Sequence, residues 1–134
     1  MPDTITASQL ARLIGTPDAP AIVDVRVDTD HASDPRMIPG SFRRGHQAVS
    51  SWAGEYAERS AVVICQRGQK LSQGVAAWLR HAGARAESLE GGFEAWVKDK
   101  GMLVRPDHMP DRDEVDTAHS ANQIDGEGLT AIAP

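Results

Sequence analysis

Short apolar runs and amphipathic stretches alternate from Thr6 to Trp96. Thr6-Ala7-Ser8-Gln9 is a capping-box pattern, with Thr at the N-cap and Gln three residues on. Leu10, Leu13 and Ile14 follow at helical spacing, and Gly15 and Pro17 stop the helix. Ala21-Ile22-Val23-Asp24-Val25 reads as a short buried strand with a carboxylate inside it. Residues 28–41 read as loop, crowded with Asp, His, Ser, Pro and Gly. That loop ends at Ile38-Pro39-Gly40, a turn that aims a brief extended piece over Ser41-Phe42-Arg43. Val49, Trp52 and Tyr56 recur at spacings of three and four, which predicts one helix over 46–59 lying against a sheet.

The apolar run Ala61-Val62-Val63-Ile64 predicts a buried strand. A helix is expected from Leu71 or Ser72, with Val75, Trp78, Leu79 and Ala82 on its apolar face and Gly83 at C′. Ala84 to Leu89 reads as the last strand, and Gly91-Gly92 as a tight turn into a short closing helix through Trp96. Trp52, Trp78 and Trp96 each fall on an apolar helix face and are read as core. Strands that alternate with helices imply an α/β fold: a parallel sheet of about four to five strands with helices on both faces.

A chain of 134 residues is long enough for one domain with its own core. The charge divides it. Residues 1–104 hold 12 basic and 12 acidic groups, whereas residues 105–134 hold 2 and 7, the whole net charge of −5. We therefore expect a domain over 1–104 and an acidic, disordered tail or linker over 105–134. No apolar stretch approaches the roughly 20 residues of a membrane span. No basic stripe or row of aromatic residues marks a nucleic-acid face. The N-terminus lacks the basic and apolar regions of a signal peptide, and one cysteine closes no internal disulfide, so the expected compartment is the cytoplasm. The five histidines show no metal-ligand spacing, and neither metal nor organic cofactor is expected.

Cys65, the single cysteine, ends the run 61–64 and opens the polar stretch Gln66-Arg67-Gly68-Gln69-Lys70. A thiol between the carboxyl end of a strand and the start of a helix sits where backbone N–H groups favour negative charge. Such settings lower a thiol pKa from about 8.5 to about 3.5–7.5 and produce a nucleophile near neutral pH. Asp24 and Arg26, charges at another strand end, are expected to pair and brace the rim of this site. Ser72, just inside the helix, is expected to cap it.

Four segments in order resemble a single rhodanese (sulfurtransferase) domain over roughly residues 5–104. They are Val23-Asp24-Val25-Arg26, Ile38-Pro39-Gly40-Ser41, Val62 to Lys70, and Leu89-Glu90-Gly91-Gly92-Phe93-Glu94-Ala95-Trp96. The resemblance implies a persulfide enzyme. Cys65 would take sulfur from a small anionic donor such as thiosulfate and pass it to a thiol or cyanide-like acceptor, or to an acceptor protein. Backbone N–H groups of Gln66 to Lys70 would hold the sulfur as an anion, Gly68 would allow the loop to curl, and Arg67 and Lys70 would attract the donor. Lys70 stands where the family commonly has Arg, and Met37 where it commonly has His. The acidic residue often found a few positions upstream is out of frame; Asp28, Asp30 or Asp34 stands nearest.

Two other readings come with the resemblance. One is a non-catalytic sensing or protein-interaction module, for which the acidic tail would be a linker or docking segment. The other is a related phosphatase or arsenate reductase. Loop length disfavours that reading, because the Cys-x5-Arg signature would put Arg at the position of Leu71.

Overall fold

A computed structural model describes residues 3–105. Five strands form one sheet in the order β1-β5-β4-β2-β3: β1 (Thr4–Ile5), β2 (Ala21–Asp24), β3 (Ser41–Arg43), β4 (Ser60–Ile64) and β5 (Arg85–Leu89). Every pairing is parallel, so all strands present their carboxyl ends to one edge. In register, Asp24 lies beside Ile64 on one side and beside Arg43 on the other.

Alternation along the strands builds two cores. Val23, Val25, Val63 and Cys65 face one side, under Val49 and Trp52 of α3 (Val49–Trp52) and Val75, Ala76 and Leu79 of α4 (Lys70–His81). Ile22, Val62 and Ile64 face the other, under Leu10 of α1 (Ala7–Leu13) and Phe93 and Trp96 of α5 (Gly92–Lys98). Covering both faces is what a parallel sheet requires. The capping box forms as read: Gln9 N donates to Thr6 Oγ1 at 3.1 Å and Thr6 N to Gln9 Oε1 at 2.9 Å. The Ile38-Pro39-Gly40 turn closes with Ser41 N donating to Ile38 O at 3.0 Å.

The structure corrects the sequence reading in four places. β1 precedes the first helix and was not expected; two residues are too few to carry a period. The stretch 28–41 contains a short helix, α2 (Asp28–Ser33), with Asp28 and Asp30 in its first turn, where carboxylates suit the helix dipole. Pro35 stops it by driving Asp34 out of the helical region (φ −150, ψ 89). The single helix expected over 46–59 is instead α3 flanked by 3-10 turns at His46–Ala48 and Ala53–Tyr56. The i to i+3 bonds Ala48 N to Gly45 O and Ala57 N to Gly54 O tighten its two ends, while Val49, Trp52 and Tyr56 stay buried.

Trp78 is the fourth correction. It is 48% exposed, its ring meeting His81 edge-on at 6.4 Å. The buried stripe of α4 is Ser72, Val75, Ala76 and Leu79, an i, i+3, i+4, i+7 set that leaves Trp78 off the buried face. Beyond α5, Gly101 meets the Trp96 ring, Trp96 Nε1 donates to Met102 O at 2.8 Å, and Val104 bridges to Met37. The acidic segment after Arg105 lies outside the described residues.

Candidate active site: a cysteine loop at the carboxyl edge of the sheet

Cys65 follows β4, the central strand of the sheet, at its carboxyl end. Ligands of open α/β sheets gather at this edge. The residue is 5% exposed. After it, Gln66 to Gln69 make a short loop, and Lys70 begins α4. Gly68 takes φ +69 and the N-cap Gln69 takes φ −102, ψ −136 with no side-chain cap, so the chain reverses sharply around the cysteine.

Among the described residues, no carbonyl or side chain accepts from the backbone N–H groups of Gln66, Arg67, Gly68, Gln69 or Lys70. The carbonyls of Cys65, Gln66 and Gly68 are taken. Phe93 N donates to Cys65 O at 2.8 Å and Glu94 N to Gln66 O at 3.0 Å. The Gln73 side chain donates to Gly68 O at 3.1 Å. Gly92 makes the docking of α5 on the loop feasible, because a Cβ there would stand 2.5 Å from Cys65 O. Fixed carbonyls with uncommitted amides are the arrangement of an anion-binding nest.

The loop side chains divide into paired and exposed ones. Arg67 is largely exposed and pairs with Glu94 at 3.4 Å. The Gln66 amide reaches the same Glu94 oxygen at 3.3 Å. Lys70 is exposed and makes no ion pair among the described residues. Ser72 does not cap α4. It is fully buried, its Oγ donates to Gln69 O at 3.4 Å, and the Cys65 thiol donates to it at 3.1 Å. Ser72 and Glu94 are the members of the site that sequence reasoning missed. For Ser72 a signal existed: it is a hydroxyl at the head of an otherwise apolar helical stripe.

Asp24 and Arg26 form a buried ion pair at 2.9 Å. Arg26 also donates to Asp34 O at 2.8 Å and to Arg36 O at 3.0 Å, and its guanidinium lies 3.8 Å from the Phe93 ring centroid. One side chain thus ties the end of β2 to the segment before β3 and to α5, the helix that holds the cysteine loop. Removing either partner would strand a buried charge, a loss of about 3–5 kcal/mol. Of the three acidic residues nearest the vacant family frame, Asp34 pairs with Arg36 and Asp28 with Arg43. Hydrogen bonding to Arg36 outweighs burial and holds the Asp34 carboxyl below its ordinary pKa.

Among the described residues no cluster of His, Cys, Asp and Glu could hold a metal ion. None of their helices is long and apolar enough to cross a membrane.

Fold and site together define a class: a parallel α/β domain with one cysteine in an amide-lined loop beyond its central strand. The family model for the rhodanese-like domain matches residues 6–99. The chain belongs to the rhodanese-like domain family. A rhodanese-related protein from Thermoplasma volcanium superposes with a TM-score of 0.65 at 22% identity, over 77% of this chain and 98% of that one. A Rhodopseudomonas palustris protein described as a possible tyrosine phosphatase gives 0.66 at 25% identity, over 77% and 85%. Thiosulfate sulfurtransferase from Pseudomonas aeruginosa gives 0.64 at 22% identity, over 78% of this chain but 20% of that one. No curated protein matches the sequence.

Proposed function

We propose that the protein is a sulfurtransferase that carries sulfur on Cys65. The observation that carries this reading is the loop itself: a cysteine followed by five consecutive N–H groups without an acceptor among the described residues. The Cys65 thiolate attacks the outer sulfur of thiosulfate, and the S–S bond of the donor breaks as sulfite leaves with its electron pair. The product is a Cys–S–S⁻ persulfide. A thiolate or cyanide then attacks the outer sulfur, and Cys65 leaves as the thiolate. Sulfur rests on the protein between half-reactions, so the kinetics are ping-pong.

The site's side chains have separate roles in this scheme. The amides of Gln66 to Lys70 hold the terminal sulfur as an anion. Lys70, exposed at the start of α4, attracts the anionic donor, and Arg67 adds charge that Glu94 partly neutralises. The low exposure of Cys65 suits a donor that presents a single sulfur atom.

Intact mass after incubation with thiosulfate, without reductant, should rise by about 32 Da and fall back on adding cyanide, with no rise in Cys65→Ser. An unchanged mass across a panel of sulfane-sulfur donors would end this reading. Cys65-dependent hydrolysis of a phenyl phosphate would move the protein to phosphatase chemistry, the description given for the Rhodopseudomonas relative.

A further inference from the structure

We propose that the cleft at the carboxyl ends of β2 and β3 is an oxyanion-binding site, separate from the Cys65 loop, for a small molecule bearing phosphate or carboxylate groups. Its volume is about 510 Å³, and Cys65 is not in its wall. That size falls within the range of small-molecule sites. Arg43 lies beside Asp24, and Asp24 beside Ile64. The cleft therefore begins at the strand beside β4 and extends to the second strand from Cys65 on the same sheet edge, roughly 5–10 Å away at ordinary strand spacing.

Charge decides what the cleft would take. Arg26, Arg43, Arg44 and His46 line it, and Asp28 is the one carboxylate in its wall. Asp24 and Glu55, which pair with Arg26 and Arg44, are not part of that wall. Arg26 and Arg44 are held behind the surface by those two carboxylates. Arg43 differs, because its ion-pair partner Asp28 is 98% exposed at its side chain. A pair of that kind is weak, and an incoming oxyanion can take its place. The Nε of Arg43 is buried without an acceptor among the described residues.

His31 lies within reach of two of these arginines. Its Nε2 is buried and has no partner among the described residues. Burial and then the charges of Arg43 and Arg26 lower its pKa, outweighing Asp24 and Asp28, which act to raise it. At His31 the two arginine charges outweigh the two carboxylates. Arginine forks suit phosphate and carboxylate alike.

NMR titration of the full chain with inorganic phosphate, and separately with succinate, tests the site, with sodium chloride at matched ionic strength as the control. The imidazole signals of His46 and His31 should shift and saturate with at least one of the two anions. Phosphate alone would mark a tetrahedral dianion site and succinate alone a dicarboxylate site. Arg43→Gln should weaken the affinity at least tenfold. Asp28→Asn, which alters an exposed side chain, should tighten it several-fold. Cys65→Ser should leave it unchanged, so failure here is distinct from failure of the sulfur chemistry. Shifts no larger than those with chloride would overturn the proposal. So would equal affinity in the Asp28→Asn protein, or saturation confined to the amides of Gln66 to Lys70.

Discussion

Gly68 and Gly92 meet backbone to backbone, and their contact locks the cysteine loop onto the turn that starts α5. A Cβ on Gly68 would lie 2.6 Å from Gly92 N, and one on Gly92 would lie 2.8 Å from the Arg67 carbonyl carbon. Both residues also hold positive φ, +69 and +64. Two glycines from distant motifs therefore close one site.

Gly92→Ala meets both penalties, dihedral strain of about 1–3 kcal/mol and overpacking of about 1–3 kcal/mol. Gly40 is the comparison, because it has φ +83 but nothing within 4 Å of an added Cβ. In urea unfolding, Gly92→Ala should lose clearly more stability than Gly40→Ala. Its Cys65 should also show an altered iodoacetamide rate, since the Phe93 N to Cys65 O bond moves with the loop. Equal losses in the two variants would show that the close approach carries no energy.

Ser72→Ala removes the hydroxyl that stands 3.1 Å from the Cys65 sulfur. Hydrogen bonds to charged groups contribute about 1.5–3 kcal/mol. If the serine hydroxyl turns to donate once the thiol ionises, alkylation of Cys65 at neutral pH should slow at least tenfold, and the profile of rate against pH should move to higher pH. Ser72→Thr keeps a hydroxyl and should restore most of the rate. A pH profile superposable on that of the parent would make Ser72 a packing residue only.

Lys70 is exposed and holds no ion pair among the described residues. Lys70→Ala should raise KM for thiosulfate severalfold, with a smaller change in the alkylation rate of Cys65. Lys70→Arg should keep KM near that of the parent. Steady-state kinetics over a range of thiosulfate concentrations separates the two effects, and an unchanged KM in Lys70→Ala would remove the lysine from donor binding.

Much of this architecture was readable because the apolar runs are short and sharply bounded. Val23, Val63 and Leu89 mark strands that the sheet contains, and the order of motifs around Cys65 matches the family. The misreadings share a physical cause. Trp78 fits a helical period as well as Ala76 does, and only packing against β4 and β5 decides which face of α4 is buried. The helix over 46–59 keeps its apolar period while its ends tighten into 3-10 turns, which spacing alone does not register. Ser72 and Glu94 were missed because their roles arise from contacts between elements: Ser72 reaches back across the loop, and Glu94 comes from a helix 28 residues on from Gln66. The pair of Asp24 with Arg26 was legible because two residues of one strand end carry it.

His31 predicts how stability depends on pH. Burial first, then the charges of Arg43 and Arg26, lower its pKa below the ordinary 6.5. The unfolded chain therefore binds this proton more readily than the folded one in the window just below pH 6.5. Unfolding takes up a proton there, so His31 makes the protein less stable as pH falls through that window. Its contribution levels off once the folded imidazole is also protonated. Arg43, Arg26, Asp24 and Asp28 all face this group. Urea midpoints measured between pH 7 and pH 5, in buffers free of phosphate and carboxylate, should decline in the parent. In His31→Gln the decline should be shallower, because a neutral amide cannot take the proton. Parallel slopes in the two proteins would mean that another group governs acid stability.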